Sequence, residues 1–381
     1  MKGVDQMRIV TIQPGDSLYK IGKTYGVTVD QLVAANGIDP NKYLVIGDSL
    51  IVPSPEEKWR PLIVNGYAYP FIDREVLKKT LPYLTYLSVF SYGVDDEGGL
   101  VSPQVNEDEV VAMASAAGVA PVLVLTTVDE SGGFNSQRAV NLLESAPNRQ
   151  RLAEELKAVV QAKGYRGVDV DMEYIPAELK QSYTDLVAYL REQLAPLPVF
   201  VALAPKSSRD QRGLLYEAHD YQGMGGAATN TLVMTYEWGH TYGPPMAVAP
   251  INQVERVLNY AVSEIPPQKI LMGLPNYGYD WLLPYEQGRP ARSIGNYEAV
   301  ALARKYGAEI QFDDTAESPW FRYYDRRGRQ HEVWYEDARS YLAKLTLLQE
   351  LGLGGVSIWN IMRFFRPLYT LLDGYFEIVK L

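Results

Sequence analysis

The stretch Gly167-Val168-Asp169-Val170-Asp171-Met172-Glu173-Tyr174 constrains this chain more than any other. Apolar residues alternate with acids at period two, the pattern by which a strand buries one face and presents the other. Asp169, Asp171 and Glu173 therefore point the same way, about 6 to 7 Å apart along the strand. Like charges at that spacing push at least one pKa upward, which is useful where a protonated acid must work beside an ionised partner. Two plainer readings are a solvated edge strand and a calcium loop. The segment lacks the spacing and the glycine of an EF-hand loop. It is entered from a helix-like run, Asn148 to Lys163, and leaves toward Pro176, as a parallel βα unit would. An acid at the carboxyl end of such a strand is a catalytic candidate.

The rest of the chain after Pro61 repeats that unit. Strand-like runs fall at Leu62 to Tyr69, Tyr86 to Tyr92, Ala120 to Thr127, Gly167 to Tyr174, Val199 to Ala204, Thr231 to Glu237, Ile270 to Tyr277 and Gly355 to Asn360. Helical periodicity separates them at Asp73 to Thr80, Asn106 to Ala117, Asn135 to Glu144, Ala177 to Gln193, Gln253 to Ser263 and Arg339 to Leu351. Strands alternating with helices predict a parallel sheet, and eight such units predict a (β/α)8 TIM barrel over 61–381. Between the seventh and eighth strands, 291–333 holds further strand-like pieces and a turn at Arg327-Gly328, so an inserted α+β subdomain is expected there.

A smaller unit precedes the barrel. Arg8 to Pro53 reads as strand, helix, helix, strand: Pro14-Gly15-Asp16-Ser17 turns into a helix N-cap, Gly26 ends the first helix, Thr28 caps a second, and Asn36-Gly37 stops it. Residues 54–60 follow as a polar, proline-containing linker, so the two domains are expected to touch little. The small unit resembles a LysM domain, through Gln13-Pro-Gly-Asp-Ser-Leu18, Tyr25-Gly-Val27, Ala35-Asn36-Gly37 and Gly47-Asp-Ser-Leu50-Ile-Val-Pro53. That resemblance implies binding of N-acetylglucosamine-containing glycans, with Gly15, Asp16, Ser17, Leu18, Asn36 and Ile38 lining a shallow groove. The same residue types also build turns.

Composition narrows the chemistry. A net charge of -10 over 381 residues makes nucleic acid or an anionic membrane surface an improbable partner. The chain has no cysteine, hence no thiol nucleophile, and its 3 histidines, His219, His240 and His331, are scattered without a metal-binding pattern. No metal or organic cofactor is expected. Met1 to Val10 has no apolar core of signal-peptide length, and no run reaches membrane-spanning length. The strand ends gather aromatic and polar side chains: Tyr67, Tyr69, Tyr92, Tyr236, Glu237, Asn276, Tyr277, Trp359 and Asn360. For any one aromatic, core packing is the plain explanation; Trp359 ends the last strand with a ring too large for a small barrel's interior.

Asp169-Val-Asp171-Met-Glu173 resembles the D-x-x-D-x-D-x-E signature of glycoside hydrolase family 18, the chitinase-like TIM barrels. Three of the four acids match; Arg166 stands in place of the first. Met234-Thr-Tyr236-Glu237 resembles the family's M-x-Y-D segment, with Glu237 in place of aspartate, and Gly273-Leu-Pro-Asn-Tyr277-Gly and Ser357 to Trp359 match its last two strands. The resemblance implies retaining, substrate-assisted hydrolysis after N-acetylglucosamine. Glu173 would be the general acid, Asp171 would hold the acetamide, Asp169 would buttress it and Tyr236 would orient its carbonyl. Trp359 would floor the sugar ring, and Tyr67, Tyr92, Glu237, Asn276 and Tyr277 would line the substrate cleft. With its LysM unit the chain looks like the spore-cortex-lytic N-acetylglucosaminidases, which implies cortex peptidoglycan as substrate, a role in germination, and a spore or cell-wall location reached without a standard export signal. The alternatives are a non-catalytic lectin on the same fold and a true chitinase.

Overall fold

The computed structural model describes residues 7–54 and 57–381; linker positions 55 and 56 lie outside the described residues. The amino-terminal unit runs β1 (Arg8–Thr11), α1 (Leu18–Tyr25), α2 (Val29–Asn36), β2 (Ser49–Val52). The two strands pair antiparallel, Arg8 opposite Val52. Its helix ends follow from the sequence. The Ser17 side chain accepts from Lys20 N, Thr28 and Gln31 form a reciprocal capping box, and Gly26 and Gly37 close the helices in the left-handed conformation.

The large domain continues with β3 (Arg60–Ala68), α3 (Arg74–Thr80), β4 (Tyr86–Val94), β5 (Leu100–Val101), α4 (Asp108–Ala116), β6 (Ala120–Thr126), α5 (Ser136–Glu144), α6 (Ala146–Lys163) and β7 (Val168–Asp171). Next come α7 (Lys180–Gln193), β8 (Val199–Leu203), α8 (Tyr221–Ala227), β9 (Asn230–Val233), α9 (Ile251–Glu264) and β10 (Ile270–Pro275). After an inserted subdomain the chain ends with α11 (Ala338–Glu350), β16 (Gly355–Trp359), α12 (Arg366–Tyr375) and β17 (Phe376–Ile378). Strands β3, β4, β6, β7, β8, β9, β10 and β16 pair in parallel, and β16 returns to β3, closing an eight-stranded TIM barrel.

The pleat sorts the strands' side chains into two cores. Val168 and Val170 pack outward against the helices, with Leu123, Leu125 and Val201. Tyr67, Tyr86, Val122, Val124, Phe200 and Leu232 fill the barrel's inside. Asp169 and Asp171 alternate along β7 with its two outward-facing valines, and both are buried.

The insertion starts earlier than the expected Ala291. It is a five-stranded antiparallel sheet built from β11 (Gly278–Leu282), β12 (Arg292–Ile294), β13 (Gln311–Asp313), β14 (Ser318–Tyr324) and β15 (Gln330–Trp334), with α10 (Asn296–Tyr306) after β12. The run Ile270 to Tyr277 therefore stops being a barrel strand at Pro275, and the wall begins at Gly278.

The small domain does not hang free, contrary to the expectation from the linker. The carbonyls that end α2 have no partner within their own helix. They are taken by the large domain: Ala34 O by Arg366 Nε at 3.1 Å, Ala35 O by Thr370 Oγ1 at 2.7 Å, and Asn36 O by the Tyr297 hydroxyl at 2.7 Å. Tyr43 donates to Arg304 O at 2.5 Å, and Arg339 Nη2 reaches Gly47 O at 3.0 Å. Linker composition is blind to this, because docking depends on which side chains of the barrel meet those carbonyls.

Candidate active site

Strand β7 makes its last ladder pairs at Asp171, opposite Thr126, and at Val170, opposite Val201. Met172, Glu173 and Tyr174 continue beyond the ladder, so the predicted strand is shorter than Gly167 to Tyr174. Asp169 is fully buried and Asp171 nearly so, while Glu173 is half-buried at the mouth.

Asp169 accepts a 2.5 Å hydrogen bond from the Tyr67 hydroxyl on β3. Its other oxygen, and Asp171 Oδ1, are buried and make no hydrogen bond among the described residues. Burial raises the Asp169 pKa to about 8, with the Tyr67 bond opposing and the Asp171 charge adding to the rise. Burial also raises Asp171. Glu173 is raised by burial first, then by the charges of Asp171 and Glu237. The arrangement can thus keep a carboxylic acid protonated in neutral solution at the edge of a cleft.

Tyr236 follows β9, its pKa raised by burial and then by Asp171 and Glu173. Gly273 on β10 makes room for it, since a Cβ there would lie 2.8 Å from the Tyr236 ring. Tyr236 and Trp359 both pack against the cluster of Tyr277, Tyr279 and Trp281 that begins the inserted wall. Trp359 stands edge-on to Tyr67, Phe90 and Tyr69, with centroids 5.4, 5.1 and 6.2 Å away. Glu237 is exposed, held at a left-handed φ of 68°, and accepts hydrogen bonds from the Tyr277 and Tyr279 hydroxyls.

Several expected binding residues have other work. Tyr92 is wholly buried on the outer face and its hydroxyl donates to Glu107. The cause is an irregularity in β4: Val89 faces Leu123, but Tyr92 rather than Ser91 faces Leu125. One extra residue reverses every side chain beyond it, and Phe90 is the last aromatic of that strand to face the barrel axis. Asn276 is buried and donates to Asn360 O at 3.1 Å and Arg363 O at 2.7 Å, clamping two loops together. Tyr67 and Tyr277 are both nearly buried and serve the carboxylates. In the small domain Leu18 belongs to the core, and Asn36 is buried with its side chain bonded to Leu32 O, Ile51 O and Ile51 N. Gly15, Asp16, Ser17 and Ile38 remain at or near the surface, with Asp16 accepting from Gln13 N.

The sequence reading passed over Phe90 and Tyr279, and took His219, which is buried, only as one of three scattered histidines. An aromatic two residues short of an expected strand end, and a histidine followed by an acid in a loop, carry no periodic signal. Among the described residues no group of three or more His, Cys, Asp or Glu side chains is disposed to hold a metal ion, and no helix is long and apolar enough to cross a membrane.

Comparison with known proteins follows the same lines. The sequence matches Glycosyl hydrolases family 18 over residues 129–363 and the LysM domain over residues 10–53. It is 37% identical to a cortical fragment-lytic enzyme of Bacillus cereus, over 98% of this chain and 99% of the relative. It is 36% identical, over 98% of this chain and 99% of the relative, to that of Bacillus subtilis. Its fold superposes on the crystal structure of the Bacillus cereus spore cortex-lytic enzyme SleL with a TM-score of 0.95 at 33% identity, covering 98% of this chain and 99% of that one. A chitinase from Chromobacterium violaceum shares the fold alone, with a TM-score of 0.76 at 22% identity over 82% of this chain and 98% of that one.

Proposed function

We propose a function from one premise: this chain belongs to the family 18 glycosyl hydrolases, and it carries a LysM domain. It is a glycoside hydrolase, and its substrate is spore-cortex peptidoglycan, cut at the β-1,4 bond after N-acetylglucosamine. The observation that carries the reading is the gradient along β7. Two carboxyls are buried on the strand, whereas Glu173, just past its end, is only half-buried and lies close enough for its charge to act on Tyr236.

In this reading Glu173 donates its proton to the leaving oxygen, its raised pKa keeping that proton available. The substrate's acetamido oxygen attacks the anomeric carbon, so no second enzyme nucleophile is used and the configuration is retained. Asp171 holds the acetamide N–H and balances the positive charge that forms. Asp169, tied to Tyr67, lies behind it, and the Tyr236 hydroxyl orients the acetamide carbonyl. The exposed loop at Gly15 to Ser17 supplies the LysM contact, which places the enzyme on the cell wall or the spore layers during germination.

Substituting Glu173→Gln and measuring hydrolysis of both cortex fragments and chitin oligomers tests this. A loss on the order of a hundredfold or more on cortex fragments is expected, as for removal of a general acid. An unchanged rate would remove Glu173 from its role. A parent enzyme idle on both polymers would be a lectin, and one that cuts chitin in preference would be a chitinase. Mass spectrometry of the digested cortex identifies which sugar carries the new reducing end.

A further inference from the structure

The peptide unit that joins Met172 to Glu173 lies past the end of the β7 ladder, so sheet hydrogen bonds do not orient it. A side chain does. His219, wholly enclosed in the loop between β8 and α8, accepts a 2.8 Å hydrogen bond from Ala204 N on its Nδ1. A ring nitrogen that accepts carries no hydrogen, so the proton of the neutral ring is on Nε2. Nε2 lies 3.2 Å from Met172 O and donates to it. That carbonyl and the amide nitrogen of Glu173 belong to one planar unit.

We propose that His219 is a positioning residue: by holding the Met172 carbonyl it sets the Met172–Glu173 peptide plane and so aims the Glu173 carboxyl at the glycosidic oxygen.

The surroundings make the tie rigid. Lys206 Nζ donates to His219 O at 3.1 Å, and the Tyr221 hydroxyl donates to Ala204 O at 2.7 Å while accepting from Lys206 N at 3.0 Å. The Tyr183 ring packs 5.8 Å from the imidazole. Burial lowers the His219 pKa to about 4, with the Lys206 charge working in the same direction and the Met172 bond against it. The ring therefore keeps one tautomer throughout the pH range in which a raised Glu173 would work. A neutral ring with a backbone donor on one side and a backbone acceptor on the other is a fixed spacer between the ends of β7 and β8.

The inference rests on the assignment of Glu173 as general acid, and the two fail differently. In His219→Asn the amide oxygen can replace Nδ1 at Ala204, but the shorter side chain cannot reach Met172. In His219→Gln an amide nitrogen lies near the place of Nε2. With soluble cortex fragments, we expect His219→Asn to lower kcat about 10- to 100-fold with KM within about threefold, the size of effect a misplaced catalytic group brings. His219→Gln is expected to recover kcat to within about fivefold of the parent, because the Met172 bond is restored. A folded His219→Asn with parental kcat overturns the proposal. So does an equal loss in both variants that tracks thermal stability, which would mark a purely structural histidine. Should His219→Asn not fold, His219→Gln decides alone: a folded Gln variant as slow as Glu173→Gln sinks the idea, and one near parental kcat supports it. Full activity in Glu173→Gln would instead sink the general-acid assignment and leave the His219 tie with nothing to aim.

Discussion

Tyr67 and Asp169 are joined by a 2.5 Å hydrogen bond inside the barrel, and it holds one oxygen of a carboxyl whose other oxygen has no hydrogen-bond partner among the described residues. Tyr67→Phe removes that bond with little change in volume. Leaving a buried acceptor unpaired costs about 1–3 kcal/mol. Urea unfolding at pH 6 should show a loss of that size, and kcat should fall with it, since Asp169 stands behind Asp171.

Stability should depend on pH through Asp169. Its folded pKa is about 8 against an ordinary 3.8, so the folded state binds the proton more tightly than the unfolded chain. The group's contribution is complete below about pH 4 and is lost as pH rises through 8. Asp169→Asn does not titrate. Its stability relative to the parent should therefore rise between pH 5 and pH 8, measured as the difference in urea midpoints. A constant difference would mean that Asp169 keeps an ordinary pKa.

The alkaline limb of the rate profile should report Glu173. Because the acid must be protonated to act, kcat/KM should hold well above the ordinary glutamate value of 4.5 and fall once pH exceeds the raised pKa. Glu237 contributes to that rise by its charge. Glu237→Gln keeps an acceptor for Tyr277 and Tyr279 but removes the charge, so the limb should move to lower pH. A limb that stays in place would assign the rise to burial and the Asp171 charge.

Domain docking has its own test. Gly47 sits at a φ of 83°, and a Cβ there would lie 1.8 Å from the Ile310 carbonyl oxygen. Gly47→Ala combines a left-handed alanine, a cost of order 1–3 kcal/mol, with a collision at the seam. Small-angle scattering should show an expanded particle, while kcat on short soluble fragments stays near parental. An unchanged scattering profile would show that the seam adapts around the methyl group.

Much of this site was legible in one strand. The alternation Val168-Asp169-Val170-Asp171 predicts an acid-bearing barrel interior because backbone pleating leaves no other way to bury both valines against helices. Repetition of the βα unit predicts the barrel for a similar local reason. Tyr92 shows where that logic ends: the extra residue near Phe90 has no signature in composition, and it turns an expected sugar contact into a core residue. Helix α8, Tyr221-Gln-Gly-Met-Gly-Gly-Ala, escaped because three glycines weaken helical propensity. It is stabilised instead by burial of Tyr221 and Met224.

Local pattern thus determined which residues alternate, where the capped helices of the small domain begin and end, and that acids occupy the alternate positions 169, 171 and 173. Tertiary structure decided which of those carboxyls meets solvent, which tyrosine holds Asp169, that a distant histidine grips the peptide before Glu173, and that the small domain is clasped by Tyr297, Arg366 and Thr370. The division has one cause. Pattern is set by bonds between neighbours in the chain, whereas burial, charge coupling and hydrogen-bond partnership depend on groups brought together from far apart, at distances that only the closed barrel defines.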